Sequence, residues 1–322
     1  MRYPRASVAV VAASLVLSLS ACNSQPGTAA YVGSSTVTVD ALQAQVDAVV
    51  AYRSGPGAIK GTDVRSQLPM ITQQVLSQDI LHEMVADAVA RTGFKVDEAD
   101  VAKQITELDA KTVLSQPAQA HLTEDTLKVL LRDQIVLAQL GKRAWDGLAV
   151  SIDLVPEADR SAAVSTATAM AASDAASKAA VTKAKAAGKQ SQAGLDLSPA
   201  SIGGPQSPAA GLLATPLFSA PQGSGVAFSL TPPSQSGQPG APQWFAVRIV
   251  KRSTDAPTSA ESGAVTAAQA PLNATLSLGL TLLPQLSGDQ EVRLNPRYGK
   301  YDPAAGRVIS DSDVLSAVVI GD

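Results

Sequence analysis

Between Arg65 and Thr92 the sequence has no glycine, and its aliphatic residues recur three and four apart. Ile71, Val75, Leu76, Ile80, Leu81, Met84, Val85 and Ala88 fall on one side of an α-helix with that period, with Gln73, Gln74, Gln78, Asp79, Glu83 and Asp87 mostly opposite. Gly93 supplies the stop. A stripe this long must be buried against something, and its neighbours have stripes of their own. Thr38 or Asp40 can cap a helix carrying Leu42, Val46, Val49 and Val50, ended by Gly55-Pro56-Gly57. Asp97, followed by Glu98 and Asp100, starts one that buries Val101, Ile105 and Leu108. After a break at Pro117, Thr123, Glu124 and Asp125 start another through Leu127, Leu130, Leu131, Ile135 and Ala138, running to Trp145 and Gly147. With a short strand or hairpin at Ala30–Thr38, the expectation is a helical domain over 30–149.

Composition then shifts. Val150–Pro156 predicts a strand, and Ala158–Ala187 is alanine-rich and compatible with helix. Glycine, proline and serine crowd 188–242, with Leu212–Phe218 and Val226–Leu230 as short ordered pieces. Trp244–Val250 (WFAVRIV) is the clearest strand pattern in the chain. A small α+β unit over 150–254 with a flexible Gly/Pro/Ser-rich part follows, the alternative being a linker with a few apolar segments. In 255–322 a helix is expected from Ser259 to Leu283, stopped by Pro284, then a strand at Glu291–Leu294 and a turn-rich stretch at Asn295–Pro303 that docks on something ordered. The fold class is α+β, mainly α.

The N-terminus has its own logic. Arg2 and Arg5 precede an uncharged run from Ala6 to Ala21, a pattern of export signals that is too short to span a bilayer comfortably. The run ends in Leu19-Ser20-Ala21-Cys22, which holds the single cysteine. Leu-Ser-Ala-Cys resembles the lipobox of bacterial lipoproteins. That resemblance implies a signal peptide at 1–21, lipid (palmitate-type acyl chains) on Cys22, a tether over 22–29, and an extracytoplasmic, membrane-anchored protein. The formal charge of −3 becomes −5 once Arg2 and Arg5 are removed, and no basic patch points to nucleic acid. With the thiol acylated, none is left for disulfide, redox or metal chemistry.

Lipobox, AYVGSSTVTVDAL at Ala30–Leu42, the helix at Leu68–Gly93, the Phe94-Lys95-Val96-Asp97 link and the tail EVRLNPRYGKYDP at Glu291–Pro303 occur here in one order. In that order they resemble the SurA/PrsA-type extracytoplasmic chaperone-foldases, and within them actinobacterial lipoproteins with a SurA-like N-terminal domain. The resemblance implies a helical chaperone module completed by the C-terminal tail, with a parvulin-like prolyl-isomerase domain inserted between. VSIDLVP, the Ala-rich stretch, Gly203-Gly204, LFSAPQGSGVAF and WFAVRIVKR follow that outline. The residues of the chemistry do not. Ile152 occupies the place of the first parvulin histidine, and the second falls at Phe245 or Ala246. Asp153 and Asp196 have no matching partner in the sequence, and the two histidines, His82 and His121, belong to the helical domain.

Other chemistry finds little support. His82 lies beside Glu83 with Gln78, Asp79 and Ala86 a turn away, no metal-protease pattern, and His121 precedes a helix cap. There is no Gly-x-Ser-x-Gly elbow, and Gly203-Gly204-Pro205 lacks the lysine of a phosphate loop. No cofactor and no metal are expected. Leu76, Ile80 and Met84 form a second apolar stripe beside the first, wider than one helix contact requires, and are the candidate client-binding residues. The expected function is an ATP-independent chaperone for unfolded or newly exported polypeptides, held at the membrane by lipid on Cys22. An active isomerase with an atypical site and an envelope scaffold are the alternatives.

Overall fold

The computed structural model describes residues 27–55, 64–204, 207, 209–231, 241–256, 264–288 and 290–321. The expected signal peptide, Cys22 and most of the expected tether therefore lie outside the described residues, as does Pro56-Gly57 of the expected first turn. The fold is mixed α+β and mainly helical.

A hairpin of β1 (Thr28–Val32) and β2 (Ser35–Thr38) opens the chain. It leads into α1 (Val39–Ser54), where the Thr38 hydroxyl accepts from the Ala41 N–H at 3.2 Å. After a turn of 3₁₀ helix comes α2 (Leu68–Thr92), closed by Gly93 at φ +58°, a left-handed cap that suits glycine. Asp97 caps α3 (Glu98–Glu107), Asp109 caps α4 (Ala110–Leu114), and Thr123 with Thr126 forms a reciprocal cap on α5 (Glu124–Ala144). Leu42, Val46, Val49, Ile71, Val75, Leu76, Ile80, Met84, Val85, Val136 and Leu137 fill one core.

The next stretch runs β3 (Ala149–Glu157), α6 (Arg160–Ala171), α7 (Asp174–Ala186), β4 (Gln192–Leu197), α8 (Pro199–Ile202), β5 (Gly225–Leu230) and β6 (Gln243–Ser253). The Ala-rich segment is thus two helices, divided where Ser173 caps the second. Residues 192–230, expected as loop with short ordered pieces, carry β4, α8, a 3₁₀ turn and β5.

Of the expected helix at Ser259–Leu283, residues 259–263 lie outside the described residues, 264–271 are not helical, and the helix runs past Leu283. α9 spans Leu272–Leu286, begins after Pro271 and keeps Pro284 inside its last turn. Proline there forfeits one hydrogen bond at an end whose bonds are already incomplete. β7 (Val292–Leu294), β8 (Lys300–Asp302), β9 (Arg307–Ile309) and β10 (Ala317–Ile320) complete the chain.

These last strands go to three different places. β7 pairs with β1 to give a three-stranded antiparallel sheet, β2-β1-β7. β8 and β9 form a hairpin against α2, where Ser77 Oγ accepts from the Val308 N–H at 2.8 Å. β10 pairs with β5 at the edge of a five-stranded antiparallel sheet, β10-β5-β6-β3-β4.

Alternation along β5 and β6 gives that sheet two different faces. Ala227 and Ala246 meet Ala163, Ala167 and Met170 of α6 and Val181 and Ala184 of α7. Val226, Phe228, Val247 and Ile249 on the other face pack with Trp145, Leu213, Leu217, Phe218 and the α9 residues Leu278 and Leu282. α9 also sends Leu283 into the helical core, so it belongs to both bodies.

Candidate functional site

The residues expected to meet clients are core. Leu76 and Ile80 are 0 % exposed and Met84 is 2 % exposed, with the Tyr301 hydroxyl 3.3 Å from the Met84 sulfur. The second stripe on α2 is covered by the returning C-terminal segment, so it offers no groove. The width of the stripe reports two neighbours, not a neighbour and a ligand.

Nor does the sheet hold an acid–base constellation. Ile152 is fully buried in the core towards α9, Ala246 is buried under α6 and α7, and Phe245 stacks on Phe228 with ring centroids 5.6 Å apart. Asp196 lies exposed on β4 opposite Ser151. Asp153 does have partners, contrary to the sequence expectation. Its buried carboxylate accepts from Ser177 Oγ at 2.6 Å and from the Gly194 N–H at 2.9 Å, tying α7 and β4 to β3. Across the ladder from it, Arg248 donates to Asp174 at 3.0 Å and to the carbonyls of Met170, Ala171 and Gly223. Both groups are spent on holding helices to the sheet.

The histidines are similarly committed. His82 Nδ1 lies 3.0 Å from a carboxylate oxygen of buried Asp133, joining α2 to α5. The hydrogen bond to Asp133 raises its pKa above the usual histidine value, against a smaller opposing effect of burial. His121 lies in the turn before α5, where burial, helped by nearby Arg53, lowers its pKa to about 4 and keeps it neutral. Among the described residues no group of His, Cys, Asp and Glu could hold a metal ion.

What the molecule does offer is an apolar cavity of about 380 Å³ at the join of its two bodies. Its walls come from four places: residues 216–221, the C-terminal end of α9, the turn at Pro303-Ala304, and Leu315 with β10. Pro216, Pro221, Pro284 and Pro303 all face it. Proline has no N–H, so such a wall can be dry without leaving a backbone donor unpaired, and its fixed φ keeps the wall stiff.

The side-chain polar groups in the wall are already bonded. Thr281 Oγ1 donates to the Leu213 carbonyl at 2.9 Å, and Ser219 Oγ donates to the Pro216 carbonyl at 3.3 Å. The Gln285 amide donates to the Ser219 carbonyl and accepts from Arg252 at 2.9 Å. Asp302, buried, sets the far wall by accepting from the N–H groups of Ala304, Ala305 and Ser316, the last at 2.8 Å. The side chains of the wall therefore offer apolar contact. Sequence reasoning missed it because its walls are separated by up to a hundred residues and none carries a motif; the density of prolines was the available signal.

No family model matches the chain, and no curated protein matches it. Among solved structures it is similar to the foldase protein PrsA from Lactococcus lactis, 16% identical over 84% of this chain and 95% of that one, with a TM-score of 0.29. PrsA from Streptococcus pneumoniae is 14% identical over 80% of this chain and 89% of that one, with a TM-score of 0.23. Neither likeness is close enough to carry an argument about this chain.

Proposed function

We propose that this chain is an ATP-independent holding chaperone, anchored outside the cytoplasmic membrane by lipid on Cys22, that shields apolar segments of unfolded polypeptides. The observation that carries the reading is the proline-walled cavity, open at the join of the two bodies and offering apolar contact with no free polar group in the side chains described above. A site of that kind selects for apolar character and against little else, as a permissive binder requires. No helix among the described residues is long and apolar enough to cross a membrane, which is compatible with an anchor at the N-terminus.

An aggregation assay tests this. Protein lacking residues 1–22, at several-fold excess, is expected to slow light scattering by a reduced, unfolded client without ATP; unchanged scattering sinks the proposal.

A second reading, a prolyl isomerase, has one observation in its favour. Residues 149–253 run as a first strand β3, the Ala-rich helices α6 and α7, and two closing strands β5 and β6 paired antiparallel, an order that supports a parvulin-like outline. Ile152, Phe245 and Ala246 stand against it, since lowering a barrier near 20 kcal/mol takes placed polar groups, and these positions are apolar. Acceleration of a proline-limited refolding phase at substoichiometric protein would revive it.

A further inference from the structure

β10 is the outermost strand of the five-stranded sheet, bonded on one side to β5 and, among the described residues, to no strand on the other. A row of outward N–H and C=O groups invites a further strand. Two facts place that edge at the cavity. Ala317, Val318 and Val319 are both β10 residues and cavity wall, and Val319 is 46 % exposed. Just before the strand, Val314 is 61 % exposed and Leu315 lines the same cavity. Natural edge strands are blunted by shortness, by lysine or proline, or by an inward charge. This one is short, at four residues, but reads Ser316-Ala317-Val318-Val319-Ile320 and carries no lysine, proline or charge.

We infer that β10 is a docking strand: an extended, apolar polypeptide segment adds to it as a sixth strand and seats a side chain in the proline-walled cavity. Backbone pairing supplies affinity indifferent to sequence, and the cavity supplies the preference for an aliphatic or aromatic residue. This deepens the chaperone reading, on which it rests, by naming the clients as segments that can become β-strands. A helical segment satisfies its own backbone and leaves the edge nothing to bond.

The probe is a capped, fluorescein-labelled peptide of about six residues with valine at alternate positions, read by fluorescence anisotropy. A second peptide of the same sequence carries N-methyl groups on consecutive amides, so that neither of its edges can pair. Binding of the first peptide is expected, with a loss of about ten-fold or more for the second and for V319K, and none for L272K, an exposed site away from the cavity.

Slowed hydrogen exchange at Val318–Ile320 in the wild-type protein on peptide addition is expected too, and needs no variant to fold. Equal binding of the methylated peptide, or unchanged exchange, overturns the inference. So does a wild-type dimer in sedimentation that V319K makes monomeric, because a second copy then occupies the edge. The aggregation assay keeps the two proposals apart. Suppression that V319K retains removes the docking strand and spares the chaperone, whereas peptide binding without suppression does the reverse.

Discussion

Arg53 shows how far single side chains hold this molecule together. Buried in the last turn of α1, its guanidinium donates to the carbonyls of Leu114, Gln119, Ala120 and Leu122, so one cation fixes the whole loop between α4 and α5. Burial lowers its pKa, though it stays charged. R53A is expected to cost roughly 3 kcal/mol by leaving those carbonyls unpaired, read by urea unfolding.

The histidines make the pH profile two-sided. His121 has a folded pKa of about 4 against 6.5 unfolded, so below about pH 6.5 the unfolded chain binds a proton that the folded one refuses. Stability is therefore full above that range and falls as pH drops towards 4, by up to roughly 3 kcal/mol. His82 has the opposite sign: its raised pKa adds stability present below pH 6.5 and lost as pH rises through the folded value, and its half-exposed ring makes that contribution small. H121Q should flatten the acid limb of a melting-temperature profile and leave the other side in place; an unchanged acid limb would show that His121 does not set it.

At the scale of elements, the contact that matters most is α9 on α5. The two helices cross at paired glycines. A Cβ on Gly141 would lie 2.0 Å from the Thr275 carbonyl oxygen, and one on Gly279 would lie 1.9 Å from that of Leu137. Neither obstacle is a flexible side-chain end, so the helices must separate to admit a methyl group. G279A is expected to cost about 3 kcal/mol or more in chemical unfolding, and to open the cavity wall formed by Thr281, Pro284 and Gln285.

Elements with caps and three-four periodicity were legible from sequence: Thr38, Asp97 and Thr123 start the helices where expected. The Ala-rich stretch was not, because its packing face is itself alanine. Ala163 and Ala167 lie on α6 so close to the sheet that a Cβ on Gly225 would fall 2.3 Å from the Ala167 carbonyl oxygen, a fit that leaves no apolar contrast to read. β4 was hidden by its exposure and by Gly194 at φ +64°. The cavity was hidden by distance along the chain.

For the whole molecule, the segment after Gly288 ties both bodies together. A chain ending at Gly288 loses the partner of β1, the hairpin on α2 and the edge strand on β5. It should melt at least about 10 °C lower by circular dichroism, as expected for several kcal/mol in a protein of this size, and bind no extended peptide. Retained peptide binding would place the docking site elsewhere.

The pairing of β1 with β7 also sets a timetable. About 260 residues separate Val32 from Val292, and at roughly 5–20 residues per second their synthesis takes tens of seconds. Throughout that interval Ala30, Tyr31 and Val32 wait without their second neighbour, and α2 waits without its cover. A protein proposed to shelter the unfinished chains of others is thus, for nearly all of its own making, an unfinished chain with a bare strand edge.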